Sequence, residues 1–162
     1  MAHIVIIGAG IGGVPAAYEL RDRLDKDAHR VTVINATSYF QFVPSNPWVG
    51  VGWRGRDEVT LEIGPYLARK GIEFIGKAVT QIDAPGNRVT VEGGDTVDYD
   101  YLIITTGPKL AFDEVPGAGP VHGGGGGFTP PVCQVDHAQA LVADYEEFVP
   151  NPGPIVNGSI PC

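Results

Sequence analysis

Cysteine is scarce in this 162-residue chain, which holds only Cys133 and Cys162. Two are too few for a disulfide scaffold at this length, so each thiol needs an explanation of its own. Basic residues are short as well. Eleven Lys and Arg stand against 19 Asp and Glu, which argues against nucleic acid or an anionic membrane surface as a partner of this segment. No run is long and apolar enough to span a bilayer. The apolar start MAHIVIIGAGIGG also lacks the basic flank of a secretory signal, so a cytoplasmic location is the default expectation. No internal repeat and no metal-ligand set stand out.

What is plentiful is glycine and proline, 23 and 14 residues, in a chain that is otherwise ordinary at 43% hydrophobic and 19% charged. Such a composition describes about one soluble domain with many tight turns. Glycine also lets backbone approach a ligand closely.

The run HIVIIG from His3 is β-branched and continuous, as in a strand buried on both faces of a parallel sheet. A helix follows in VPAAYELRDRLDK, where Ala17, Leu20 and Leu24 share one face, Pro15 sits in the first turn and the charges lie opposite. RVTVIN is the returning strand of a βαβ unit. The aromatic, Pro-rich stretch 36–57 is too apolar for a solvated linker and too broken for a long helix. EVTLEIGPYLARKG predicts a helix in its second half, stopped at Gly71, and IEFIG the next strand. Three short alternating segments between about 77 and 100 predict an antiparallel meander. YLIITTGP is again a buried strand. Beyond it, VPGAGPVHGGGGGFTPP reads as a flexible stretch with a run from Gly123 to Gly127. Asp136 with Gln139 has the spacing of a capping box opening the helix HAQALVADYEEF, and PIVNG is a further strand pattern.

Between the first strand and helix, GAGIGG sets Gly8, Gly10 and Gly13 at G-x-G-x-x-G spacing, with Gly12 inside it. In that context Gly8 serves the tight turn, Gly10 the approach of a pyrophosphate and Gly13 close helix–strand packing. The N–H groups and dipole of the helix start favour the phosphate charge. The ribose-binding acid expected about 20 residues further on is replaced by Asn35, followed by Ala36. An amide oxygen still accepts hydrogen bonds; alternatively, Asn35 simply starts the next turn. The loop by itself does not separate a nicotinamide site from a flavin site.

The order of loop, meander and apolar strand ending in TTGP resembles the disulfide-reductase-like flavoproteins, whose Thr-Gly turn returns to the flavin dinucleotide. That resemblance implies FAD as cofactor and adds Ala78, Thr105, Thr106 and Gly107 to the glycine loop as candidate cofactor contacts. YFQFVPSNPWVGVGW, YDYLIITTGPKLAF, CQVDHA and PGPIVNGSIPC together look like the N-terminal part of a bacterial sulfide:quinone oxidoreductase. The resemblance covers nearly the whole chain. It implies oxidation of sulfide at redox cysteines beside FAD and transfer of an electron pair to a quinone. Cys133 and Cys162 match two of that family's three cysteines. His137, four residues after Cys133, then accepts a proton or stabilises a thiolate; apart from the resemblance, an inert small cysteine and a solvated histidine are the ordinary readings. The terminal carboxylate beside Cys162 disfavours its thiolate.

The expected fold is therefore α/β: a Rossmann-like, FAD-binding parallel sheet with a small antiparallel β-meander, part of an incomplete flavoprotein of two dinucleotide domains. The expected division is an FAD-binding half-domain over 1–110, a Gly/Pro-rich linker carrying Cys133 over 111–135, and over 136–162 a helix and orphan strand of a truncated second domain. The tail from about Pro150 is expected to be mobile, and the helix stripe Leu141, Tyr145 and Phe148 to seek an apolar partner. On this reading the longer parent touches the membrane peripherally, through its C-terminal part. The rival readings are a flavoprotein subunit of a sulfide dehydrogenase, a type II NADH:quinone dehydrogenase that needs neither cysteine, and a non-catalytic nucleotide-binding module.

Overall fold

The computed structural model describes residues 1–114, 116 and 131–154. The Gly123–Gly127 run, the PIVNG strand from Ile155 and Cys162 lie outside the described residues. Two compact units emerge, one formed by Met1–Phe42 with Thr60–Leu110 and the other by Val43–Val59 with the chain from Ala111 onward.

The first unit is built on a parallel sheet. Strand β1 (Ala2–Ile7) lies between β2 (His29–Ile34) and β9 (Tyr101–Ile104), with β5 (Glu73–Ile75) outside β2. All three pairings are parallel, in the register Ile6 to Val33 and Ile6 to Ile103. The unbroken apolar run of β1 follows from its position. Ile4 and Ile6 pack with Ala17 of α1 (Gly13–Arg23) and Leu67 of α4 (Gly64–Arg69) on one face. Val5 and Ile7 turn to the other face and meet Val89 and Val91 of the meander. Side chains alternate along a strand, so a strand covered on both sides must be apolar at every position.

The meander consists of β6 (Val79–Asp83), β7 (Arg88–Val91) and β8 (Thr96–Asp98), paired antiparallel in that order. Its turn at Asn87 takes φ +50° and that at Gly93–Gly94 takes +91° and +87°, backbone that Asn and Gly adopt at low cost. Gly71, at φ +71°, ends α4 where the sequence predicts it. One expectation about α1 is corrected. Arg21 is buried on the helix rather than exposed with the other charges, because its guanidinium donates to the carbonyls of His29 at 3.0 Å and Leu24 at 3.1 Å. It thereby ties the helix end to the start of β2.

The aromatic stretch contributes short pieces to both units. Strands β3 (Tyr39–Gln41) and β4 (Thr60–Glu62) pair antiparallel in the first. In the second, a 3-10 turn (Val43–Ser45) leads into α2 (Asn46–Gly50), with Pro47 in its opening turn, and α3 (Arg56–Val59) follows. There α5 (Val135–Phe148) packs on α2: Gly50 faces Leu141 and Val132, and Gly52 faces Val142. The capping box is not formed. The helix starts one residue before Asp136, its N-cap is Gln134 without a side-chain bond, and the Asp136 carboxylate accepts instead from Arg56 at 3.1 Å. In the first turn it still complements the helix dipole.

Candidate functional site

The glycine loop leaves the C-terminal end of β1, at the point where the sheet continues to β2 on one side and β9 on the other. Ligands of open α/β sheets bind at such points. Three main-chain bonds hold the strand ends around it: Gly8 N–H to Ile34 carbonyl at 2.8 Å, Thr105 N–H to Ile7 carbonyl at 2.7 Å, and Asn35 N–H to Ile75 carbonyl at 3.0 Å.

Each glycine has a separate reason to be there. Gly8 has φ +104°, and a Cβ on it would lie 2.5 Å from the Thr105 carbonyl oxygen. A Cβ on Gly13 would overlap the Gly8 carbonyl and come within 2.7 Å of Thr105 Oγ1. Gly10 differs, because a Cβ there would meet nothing within 4 Å. The loop is thus closed against Thr105 at its ends and open at its middle, just ahead of α1, whose Val14 and Ala16 N–H groups bond the Gly10 and Gly12 carbonyls at 3.1 and 3.2 Å. Gly12 is exposed, and a Cβ on it would come no closer to Thr105 than 3.8 Å. Open backbone of this kind, beside a helix start, suits an anionic pyrophosphate.

Two side chains brace the loop. Thr105 Oγ1 lies 2.9 Å from the Ile7 carbonyl oxygen and 3.0 Å from that of Gly8, and its single O–H proton is shared between the two. Asn35 Oδ1 accepts from the Ala9 N–H at 2.9 Å, while its Nδ2 donates to the Thr37 carbonyl and hydroxyl at 2.9 and 3.0 Å. The structure therefore brings Gly8, Gly13, Asn35 and Thr105 together. Ala36 is exposed just after Asn35, and Thr106 is exposed beside Gly107, whose φ of +71° turns the chain away from β9. Ala78 stands at the entry to the meander, its carbonyl bonded to the Glu92 N–H at 2.8 Å.

In the second unit Cys133 is exposed, two residues ahead of α5, and His137 is in the first turn of that helix. The His137 ring meets Phe112 at 5.9 Å between centroids, and its Nδ1 is enclosed without a hydrogen-bond partner among the described residues. Asn46 was missed from sequence. It is fully buried at the start of α2, and neither amide atom has a partner among the described residues. Its only signal was a polar residue inside the apolar VPSNPWV stretch. No group of His, Cys, Asp and Glu able to hold a metal occurs among the described residues.

A family model described as pyridine nucleotide-disulphide oxidoreductase matches residues 2–144. The chain belongs to this family. It is also 37% identical over 159 residues to the sulfide-quinone reductase of Aquifex aeolicus (strain VF5), an alignment covering 98% of this chain and 35% of that protein. A crystal structure of the sulfide:quinone oxidoreductase of that bacterium superposes with a TM-score of 0.82 at 35% identity, over 95% of this chain and 34% of the other. An NADH dehydrogenase-like protein of Mycobacterium tuberculosis is 29% identical over 121 residues, 72% of this chain and 29% of its own length. The chain spans about a third of the length of these relatives. The family and the α/β fold with a Rossmann-like parallel sheet are those expected from sequence.

Proposed function

We propose that this chain carries the FAD pyrophosphate site and a redox thiol of a flavoprotein that oxidises sulfide and passes the electrons to a quinone. The observation that carries the reading is the glycine loop, closed by Thr105 at Gly8 and Gly13 and open at Gly10, in a chain so similar to a sulfide-quinone reductase. FAD, when bound, supplies a two-electron acceptor. The loop N–H groups between Gly8 and Gly13 would hold its pyrophosphate, and Asn35, Ala36, Ala78 and the Thr105–Gly107 turn would be its further contacts.

Cys133, exposed ahead of α5, is the thiol that carries sulfur: joining its thiolate to hydrosulfide as a persulfide releases one proton and two electrons, and the electron pair would go to FAD. His137 serves it by holding a proton. Cys162 is the second thiol of the same chemistry. The activity is that of a protein as long as those relatives, of which this chain spans about a third: the isolated chain should bind FAD weakly, with much of the flavin ring left in water, and show no sulfide:quinone turnover. Quinone and membrane contact belong to that longer protein as well. No helix among the described residues is long and apolar enough to cross a membrane.

Calorimetry of the purified chain with FAD and with NAD tests the cofactor. FAD should bind more tightly, and a clear preference for NAD would overturn the reading. In the full-length protein, Cys133→Ser should abolish sulfide-dependent quinone reduction. Undiminished turnover, or turnover with NADH in place of sulfide, would favour the NADH dehydrogenase reading that the Mycobacterium relative represents.

A further inference from the structure

Asn35 occupies the place at the end of β2 where an acidic ribose ligand is expected, yet its side chain is engaged elsewhere. We infer that it is a positioning residue for the phosphate-facing loop, acting through the Ala9 N–H, and that the Thr37 carbonyl is what requires an amide there rather than a carboxylate.

The root of the side chain is fixed from outside the loop by the bond from Asn35 N–H to the Ile75 carbonyl of β5, 3.0 Å long. Its amide orientation is dictated by its neighbours. The Ala9 N–H, 2.9 Å away, needs an acceptor, and the Thr37 carbonyl, also at 2.9 Å, needs a donor; a flipped amide would set like groups against each other at both ends. Thr37 Oγ1, 3.0 Å from Nδ2, passes the chain of bonds on to the Tyr39 carbonyl at 3.2 Å. One side chain thus links the glycine loop to the turn that begins β3. Ala9 is 3% exposed, so without Asn35 its N–H is a buried donor with no acceptor, and the loop must shift to find one. The loop N–H groups that face a pyrophosphate move with it. A carboxylate at 35 would keep the Ala9 bond but set an oxygen against the Thr37 carbonyl.

This inference rests on the proposed dinucleotide site, and its test separates the two. Hydrogen exchange on the ligand-free chain should show Ala9 protected, and Asn35→Ala should lose that protection; unchanged protection overturns the clamp whatever the site binds. In NMR titrations Asn35→Ala should weaken ADP about five- to tenfold while leaving adenosine within about twofold, because only ADP carries the pyrophosphate that the loop positions. Equal weakening of both would make Asn35 a ribose ligand and overturn the positioning role, as would no weakening of either. Failure of the unaltered chain to bind ADP or FAD would count against the proposed function instead. For the Thr37 half, Asn35→Asp should melt below the unaltered chain at pH of about 7, and the gap should narrow towards about pH 4, where a protonated carboxyl again donates to the Thr37 carbonyl. A gap independent of pH overturns the requirement for an amide.

Discussion

Gly10 and Gly13 are identical residues in one motif, yet alanine at the two positions should have opposite consequences. At Gly13, the first residue of α1, alanine gains roughly 0.5–1 kcal/mol of intrinsic helix preference. That gain is overwhelmed. The added methyl would overlap the Gly8 carbonyl oxygen and sit 2.7 Å from Thr105 Oγ1, and both of those atoms are held, by backbone and by the Thr105 bonds. Overpacking against atoms that yield usually costs about 1–3 kcal/mol, and here little yields, so a net loss of about 2 kcal/mol or more is expected. With a urea dependence of about 1–3 kcal/mol per molar, the unfolding midpoint of Gly13→Ala should fall by about 1 M. At Gly10 the new methyl meets nothing within 4 Å, and the backbone is not in the left-handed region. Stability should stay within about 0.5 kcal/mol. The methyl would instead fill the space assigned to the pyrophosphate, and FAD binding by calorimetry should weaken about tenfold or more. Urea titrations and calorimetry on the same two proteins decide the matter. Equal destabilisation by both substitutions, or a Gly10→Ala chain that is stable and binds FAD as before, would refute the division of the loop into a closed and an open part.

Thr105→Val keeps the side-chain shape but removes the hydroxyl that bonds the Ile7 and Gly8 carbonyls, and should cost about 1 kcal/mol in urea unfolding; an unchanged midpoint would mean that the hydroxyl does not brace the loop. Burial, aided by Arg30, holds His3 below its ordinary pKa of 6.5, so it stays neutral in the fold while the unfolded chain protonates. Its contribution is therefore complete above pH 6.5 and declines as pH falls through that value towards the native pKa. Glu73 is lowered too: burial opposes the shift, but bonds from Thr32 and Arg30 outweigh it, and its loss begins only below 4.5. His3→Gln should flatten the urea midpoint between about pH 7.5 and 5.5, and an unaltered slope there would exclude His3 as its source. Asn46→Leu should raise stability by about 1 kcal/mol, since it removes two buried amide atoms without partners among the described residues; a loss of that size would show that the amide is satisfied in solution.

What the linear sequence determined by itself was periodicity and turn chemistry. The β-branched runs of β1 and β2, the meander punctuated by Asn87 and Gly93–Gly94, the Gly71 stop and the glycine spacing are all local signals, because strand alternation, positive φ and helix termination are decided within a few residues. The sequence could also name Thr105 and Asn35 as candidates. It could not say what they do, because their partners Gly8 and Ala9 lie 97 and 26 residues away and meet them only when β1, β2 and β9 align. The same holds for Asp136, whose local spacing promised a cap but whose carboxylate is taken by Arg56, 80 residues distant. Arg21 was expected in solvent and is buried because two carbonyls, one of them eight residues on, need its donors. Hydrogen-bond competition is settled by whichever partner the tertiary structure delivers, and that choice is invisible until the strands are in register.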